Sequence, residues 1–108
     1  MKEKVSEPRL ATARQNIRLA IALRDTTATE VSRAAGLSIN ALGSFLRGDT
    51  SIRYENLLKV CDVLRIPIGI LHVSGAITPA RLELQSALDD LSQDQLAAVM
   101  TELSQRPN

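Results

Sequence analysis

The sequence predicts an all-α protein, with five helices in residues 9–73 and two more in residues 78–105. Apolar residues recur at steps of three and four along most of the chain, which is the period of an amphipathic helix. No stretch alternates apolar and polar residues as a half-buried strand does. Two pairs have the spacing of a capping box and indicate helix starts: Thr27 with Glu30, and Ser92 with Gln95.

The first helix is predicted over residues 9–24, after a polar segment of alternating charge at residues 1–8 that we interpret as a flexible tail. Its apolar side chains lie on one face of a helix. They are Leu10, Ala13, Ile17, Ala20 and Ile21. Residues 25–26 break the pattern, so the helix ends there.

Two short helices joined by a tight turn are predicted next. The first covers residues 27–35 and ends at Gly36, which suits the left-handed conformation of a helix C-cap. Ser38 is predicted to cap a second helix over residues 39–46, and Gly48 to end it. The apolar positions are Val31, Ala35, Leu42 and Phe45, with the small Ser32 where the helices cross. This is a helix-turn-helix pattern, whose second helix can lie in the major groove of DNA.

The remaining pattern predicts a helix over residues 54–64 and a short fifth helix from Pro67 to about His72. A linker at residues 74–75 separates residues 9–73, one domain, from an appendage at residues 76–106. The appendage has an apolar stripe at helical spacing that a five-helix domain does not need. It consists of Leu84, Leu88, Leu91, Leu96, Val99, Met100 and Leu103. Such a stripe either folds back on its own bundle or packs against a second copy, and we favour dimerisation.

Composition restricts the class of protein. Apolar residues make up 44% of the 108, but there is one Phe, one Tyr and no Trp, so the core must be aliphatic. No apolar run has the roughly 18 residues of a membrane helix, and the N-terminal segment lacks the apolar core of a signal peptide. The single cysteine, Cys61, excludes an internal disulfide and a multi-cysteine metal site. We expect a cytoplasmic bacterial or phage protein without metal or cofactor.

Charge is distributed unevenly along the chain. Residues 1–65 contain 11 Lys and Arg against 7 Asp and Glu, whereas residues 66–108 contain 2 Arg against 5 acidic residues. A chance fluctuation in a short chain is one explanation. The other is that the first half contacts nucleic acid and the second half has a different task.

These residues carry a resemblance to a known family. Residues 14–72 resemble the lambda-repressor-like, or Xre-type, helix-turn-helix regulators. The resemblance rests on EVSRAAGLS for the first motif helix and turn, FLRGDTSIRYENLLKVCDVL for the following loop and helix, and IPIGIL for the fifth helix. It implies a five-helix bundle that binds double-stranded DNA, mostly as a dimer on an operator.

Two departures from the family pattern are informative. The family commonly starts its first motif helix with a Gln that contacts phosphate, where this chain has Ala28. Members also often pair an Arg late in the first helix with a Glu near the end of the recognition helix; here those positions are Ile21 and Leu46. Because replacing both members of a buried ion pair is less costly than removing one, we predict that Ile21 and Leu46 are in contact.

The resemblance implies base contacts from the N-terminal end and outer face of the second motif helix. The residues are Ser38, Ile39, Asn40, Gly43, Ser44 and Arg47. Asn40 can donate and accept at an adenine edge, and Ile39 can contact a thymine methyl; Asn40 and Ser44 are otherwise ordinary solvated surface. Gly43 either permits close approach to DNA or is a weak point in the helix. Phosphate contacts, which fix register, are predicted for Arg24, Thr27, Thr29, Arg33, Thr50, Ser51 and Arg53, and Arg47 reaches a phosphate or a guanine.

The expected function is therefore a sequence-specific DNA-binding transcriptional regulator, a repressor acting as a homodimer on a palindromic operator. One alternative is an antitoxin or adaptor whose C-terminal helices bind a partner protein, with DNA binding for autoregulation. A third is a protein-interaction module on the same scaffold, which the missing Gln and the modest net charge favour. Cys61 is expected in the core and His72 at a helix C-terminus. No nucleophile with a base and no phosphate loop is present, so we expect no enzyme.

Overall fold

The computed structural model describes residues 7–105, which contain six α-helices, one turn of 3₁₀-helix and no strand. The helices are α1 Pro8–Leu23, α2 Ala28–Ala34, α3 Ala41–Leu46, α4 Tyr54–Leu64, α5 Pro79–Asp89 and α6 Gln93–Gln105. The 3₁₀ turn is Ile68–Ile70. The predicted all-α class is confirmed, and the predicted fifth helix is this single 3₁₀ turn rather than an α-helix.

The first helix starts earlier than predicted. Pro8 is its first residue, and the Glu7 carboxylate caps it by accepting from the Arg9 backbone N–H at 3.2 Å. Hydrogen bonds from Arg9 to this exposed carboxylate lower the pKa of Glu7 to about 2. Residues 7 and 8 are therefore part of a helix start and not of a flexible tail, while residues 1–6 of that predicted tail lie outside the described residues.

Local hydrogen bonds define both ends of α2. The Thr27 hydroxyl accepts from the Glu30 N–H at 3.1 Å, which is one half of the predicted capping box. The Glu30 carboxylate accepts from the Thr27 hydroxyl at 3.1 Å rather than from the Thr27 backbone N–H. At the other end Gly36 has φ +77°, a left-handed conformation that a side chain would strain. The Leu37 N–H then reaches the Ser32 carbonyl and the Gly36 N–H the Arg33 carbonyl, which is a Schellman motif. The turn after α2 is therefore determined by its own sequence.

The third helix starts two residues later than predicted. Residues 38–40 form a turn in which the Ala41 N–H bonds the Ser38 carbonyl, and Asn40, not Ser38, occupies the N-cap position. The prediction that Ser38 caps this helix is wrong, because Ser38 is not at the N-cap position. Asn40, which is, makes no side-chain cap hydrogen bond. The physical reason is that a residue from another helix supplies the cap.

Helices α1 to α4 enclose an aliphatic core. Helix α2 packs against α3 and α4, and α1 packs against α3. Phe45, Ile17 and Leu42 are among its largest fully buried side chains. Leu10, predicted on the core face of α1, is exposed instead. The buried Asn16 was not predicted. Its amide donates to the Leu71 and Val73 carbonyls at 2.7 and 3.0 Å and so connects α1 to the segment after the 3₁₀ turn.

The appended helices α5 and α6 differ in how they attach. Ala76, Ile77 and Leu82 are buried, and the last two belong to the core cluster, so the packing is continuous across the predicted boundary at residues 74–75. Helix α6 has no buried residue. The radius of gyration is 16.4 Å, against about 13 Å for a compact domain of this size. The elongation agrees with an α6 that extends away from the core.

Cys61 lies in the core on α4, and burial raises the pKa of its thiol from 9.0 to about 11. Because the raised value belongs to the folded state, this thiol contributes stability below pH 9 that is lost as the pH rises toward about 11. We predict a free energy of unfolding that falls over this range more steeply than in Cys61→Ala. Denaturant titrations of both proteins at several pH values measure the difference; parallel curves would contradict a buried thiol of raised pKa.

Candidate nucleic-acid interface

Helix α3 is buried on one side and exposed on the other. Leu42, Phe45 and Leu46 enter the core. Ser38, Ile39 and Asn40 are all exposed in the turn that precedes it, and Ile39 is 51% exposed. Gly43 and Ser44 are half-buried, and Arg47 is exposed at the C-terminal end. The six residues predicted to contact bases thus lie within or beside one short helix, three of them in the preceding turn.

A side chain of α2 holds the start of α3. Ser32 is fully buried, and its hydroxyl accepts from the Leu42 backbone N–H at 3.1 Å. The first N–H groups of a helix have no partner within it, so Ser32 supplies from a neighbouring helix the cap that Asn40 does not. Ser32 was predicted only as a small residue at the point where the two helices cross. Its hydroxyl group was the feature of the sequence that could have indicated this hydrogen bond.

Replacing Ser32 by alanine is expected to lower the free energy of unfolding by about 1–3 kcal/mol, the cost of leaving a buried N–H without a partner. Denaturant unfolding of the purified protein measures this change. Ser86→Ala is the matched control, because Ser86 is exposed on α5 and such changes stay within about 0.5 kcal/mol. Equal stability of the two variants would mean that the Ser32 hydroxyl does not cap α3.

Two arginines of α1 bind the other end of α3. Arg14 Nε donates to the Phe45 carbonyl at 2.7 Å, and Arg18 Nη2 donates to the Leu46 carbonyl. The Arg14 guanidinium also lies over the Phe45 ring, with its central carbon 4.7 Å from the ring centroid. No role was predicted for these arginines from the sequence. Their spacing of four residues, which places both on one side of α1, was the only signal.

The predicted apolar contact between Ile21 and Leu46 is supported only in part. Leu46 belongs to the core cluster and Ile21 packs against that cluster, so both are on the correct side of their helices. A direct contact between the two side chains stays a prediction. The polar links from α1 to the end of α3 are made by Arg14 to the Phe45 carbonyl and by Arg18 to the Leu46 carbonyl.

Arg47 folds back along the outer face of α3. Its Nη2 donates to the Ser44 hydroxyl at 3.3 Å, and its Nε pairs with an Asp49 carboxylate oxygen at 3.1 Å. A Cβ added to Gly43 would lie 3.3 Å from Arg47 Nη1, so the absence of a side chain at Gly43 accommodates this guanidinium. The Arg47 side chain is 63% exposed, so a guanidinium that pairs with Asp49 still presents N–H donors to solvent.

The residues predicted to contact phosphate are mostly exposed. Thr29 and Arg33 lie on α2, Thr27 caps it, and Thr50 and Ser51 lie in the loop after α3. Arg53 precedes α4, with Nη1 3.9 Å from a Glu55 carboxylate oxygen.

Arg24 is different from the other predicted phosphate contacts, because it is half-buried and bonded to protein carbonyls. Its Nε and Nη2 donate to the Leu64 and Arg65 carbonyls at 2.8 and 3.0 Å. Burial and the nearby Arg65 lower its pKa. The structure thus places its guanidinium at the end of α4, where it satisfies the terminal carbonyls of that helix.

The geometry defines a class of protein: a small helical domain that presents a short helix, held at both ends, at its surface. A comparison with protein families matches the Helix-turn-helix family over residues 17–71. The chain belongs to this lambda-repressor-like (Xre-type) helix-turn-helix family of DNA-binding regulatory domains. Searches of curated proteins and of solved structures gave no match.

Among residues 7–105, no group of three or more His, Cys, Asp or Glu side chains is arranged to hold a metal ion. None of the helices in that range combines the length and apolar character that a membrane crossing requires.

Proposed function

We propose that this DNA-binding transcription regulator is a repressor that binds a palindromic operator as a homodimer. The observation that carries the proposal is the exposed row Ser38, Ile39 and Asn40 leading into α3, whose opposite side is anchored in the core. Side chains at the start of a recognition helix are those that reach base edges in the major groove. Because the opposite side of α3 is anchored in the core, little conformational entropy is lost when these side chains bind DNA.

Within this proposal Asn40 pairs with an adenine edge, Ile39 contacts a thymine methyl, and Ser38, Gly43, Ser44 and Arg47 complete the base contacts. Exposed side chains around them position the protein on phosphates. They are Thr27, Thr29, Arg33, Thr50, Ser51 and Arg53. Arg24 is not one of them, because two of its guanidinium nitrogens already bond protein carbonyls.

The dimer is proposed to form through α5 and α6, whose apolar residues Leu84, Met100 and Leu103 are exposed in the single chain. A two-fold axis between two copies would present two recognition helices about 34 Å apart, one turn of B-DNA. Occupancy of the operator then suffices to block transcription, which is why we propose repression.

Selection from a pool of random duplexes tests the proposal. The expected result is enrichment of an inverted repeat whose half-sites are about one helical turn, 10–10.5 bp, apart. The molecular mass of the same purified protein in solution, measured by sedimentation, is expected to be that of a dimer. Enrichment of no sequence would contradict specific DNA binding, and enrichment of a single unpaired half-site would contradict the dimer.

Replacing Arg53 by glutamine is expected to weaken binding to the selected operator and to random duplex by the same factor. A phosphate contact carries little sequence information, and its loss reduces the slope of log affinity against log salt by about one. Arg81→Gln on α5 is the control, since it removes the same charge from an appended helix. A loss confined to the operator would show that Arg53 reads bases instead.

A second candidate function is an antitoxin or adaptor whose appended helices bind a partner protein. The absence of a buried residue in α6 favours it, as does the acidic content of this half of the chain, which includes Glu83, Asp89, Asp90 and Asp94. Sedimentation of the purified chain separates the candidates. A dimer at micromolar concentration supports the repressor, and a folded monomer supports the adaptor.

A further inference from the structure

The short helix α3 is held at its C-terminal end by arginines from a different helix. The Phe45 and Leu46 carbonyls accept from Arg14 and Arg18 on α1, which lie 31 and 28 residues earlier in the chain. The last carbonyls of a helix have no partner within it and lie at the negative end of the helix dipole. Hydrogen bonds from charged donors to such groups are stronger than neutral ones.

A helix of six residues does not fix its own orientation. Isolated helices shorter than about 12 residues are marginal in water, so tertiary contacts determine where α3 lies. At its start this contact is the Ser32 hydroxyl on the Leu42 N–H. At its end the charged contacts of Arg14 and Arg18 are joined by the packing of the Arg14 guanidinium on the Phe45 ring.

The two positions at which this family often carries an Arg–Glu pair cannot do this work here, because they are Ile21 and Leu46. Their apolar side chains pack with the core and provide no directional bond. Arg14 and Arg18 instead bind backbone carbonyls, whose position depends on the path of α3 and not on the identity of its side chains.

We propose that Arg14 and Arg18 are positioning residues for DNA recognition: they set the angle at which α3 presents Asn40 and Ser44 to the bases. The inference rests on the proposed function of α3. Because both guanidinium groups bond to the protein, they act through the helix and not by contact with the operator. The effect of removing them is therefore a loss of discrimination between sequences, with little change in charge-driven affinity.

The test uses the operator selected from the random pool and a random duplex of equal length as the two probes. Arg14→Gln with Arg18→Gln is expected to weaken operator binding by about tenfold or more, since charged hydrogen bonds are lost and base contacts are displaced. Random-duplex binding stays within about twofold of the wild type, and the slope of log affinity against log salt is unchanged. Arg33→Gln is the matched control, expected to weaken both probes equally and to flatten the salt slope.

Two outcomes would overturn the positioning role. If both probes weaken together and the salt slope flattens, the arginines contact phosphates. If thermal stability falls while operator affinity, measured well below the melting temperature, is unchanged, they serve the fold alone. If the glutamine variant does not fold, Arg14→Lys with Arg18→Lys replaces it in the test, because this variant keeps both charges. Its operator binding is again expected to fall more than its random-duplex binding.

A second readout does not need DNA. The Gly48 and Asp49 amides donate to the Phe45 and Ser44 carbonyls at 3.0 and 2.9 Å, at the end that the arginines hold. Their hydrogen exchange is expected to be faster in the double glutamine variant, while exchange at the start of α4 is unchanged. Unaltered exchange at both amides would contradict the inference. If the wild type selects no sequence, the proposed function fails, and this measurement still decides whether the arginines hold α3.

Discussion

Replacing Phe45 by alanine is expected to destabilise the protein by about 3–5 kcal/mol, a large share of the total stability of a small domain. Phe45 is fully buried, belongs to α3 and packs beneath the Arg14 guanidinium. Its ring is the only large aromatic group in an otherwise aliphatic core. Removing it leaves a cavity at the junction of α1 and α3 and takes away the surface on which Arg14 lies. Denaturant unfolding monitored by circular dichroism measures the loss.

Tyr54→Ala provides the matched control for the Phe45 variant. Tyr54 is the other aromatic residue of the chain and is 65% exposed at the start of α4, so its removal is expected to change stability by about 0.5 kcal/mol or less. Phe45→Leu, which keeps most of the apolar volume, is expected to fall between the two. Equal losses for Phe45→Ala and Tyr54→Ala would show that α3 does not pack in the core as described.

The parts of the fold that the sequence predicted are those with local causes. The end of α2 follows from Gly36, because a left-handed residue is needed within the turn itself. The capping pair of Ser92 and Gln95 forms as predicted, with reciprocal bonds of 2.9 and 3.2 Å. In each case the donor and acceptor lie within five residues of one another, so their spacing alone carries the information.

The parts that the sequence did not predict depend on contacts between distant residues. Helix α3 starts at Ala41 because its cap comes from Ser32 on another helix, ten positions before the N–H it bonds. Arg14 and Arg18 bond backbone carbonyls, which are present at every residue, so no side-chain pattern marks their partners. The periodicity of α1 indicated only that these arginines lie outside its apolar stripe.

The candidate site likewise has features that the sequence predicted and features that depend on tertiary contacts. With Leu42 and Phe45 directed inward, helical periodicity places Gly43 and Ser44 toward the other side, which the structure agrees with. The orientation of Arg47 was not predictable, since it depends on Asp49 beyond the helix and on the space left by Gly43. Arg24 was assigned to phosphate from its charge alone, and its bonds to the end of α4 are tertiary.

Replacing Leu84, Met100 and Leu103 together by glutamine is expected to convert the proposed dimer into a monomer with an intact domain. These side chains are 60%, 61% and 56% exposed, and each contributes about 1.5–3 kcal/mol when fully buried. Glutamine is close to them in size and favours helix, so the change removes apolar surface without breaking α5 or α6. Leu82, which anchors α5 in the core, is left unchanged.

The consequence for DNA binding is larger than that for stability. A dimer that contacts two linked half-sites has an affinity about 10²–10⁴ times that of a single half-site contact. The reason is that the second contact forms at a high effective concentration. The triple variant is therefore expected to lose about a hundredfold or more in affinity for the full operator, while its affinity for an isolated half-site is unchanged. Sedimentation and titration of both duplexes measure these quantities.

Ala98→Gln with Thr101→Gln is the control for the triple variant. Both residues are exposed, and at about 100° per residue they lie on the opposite face of α6 from Leu96, Met100 and Leu103. This control is expected to remain dimeric and to bind the full operator as the wild type does. A triple variant that stays dimeric would place the interface elsewhere on the chain. If the control variant is also a monomer, the subunits separate because α6 is disrupted and not because its apolar face is removed.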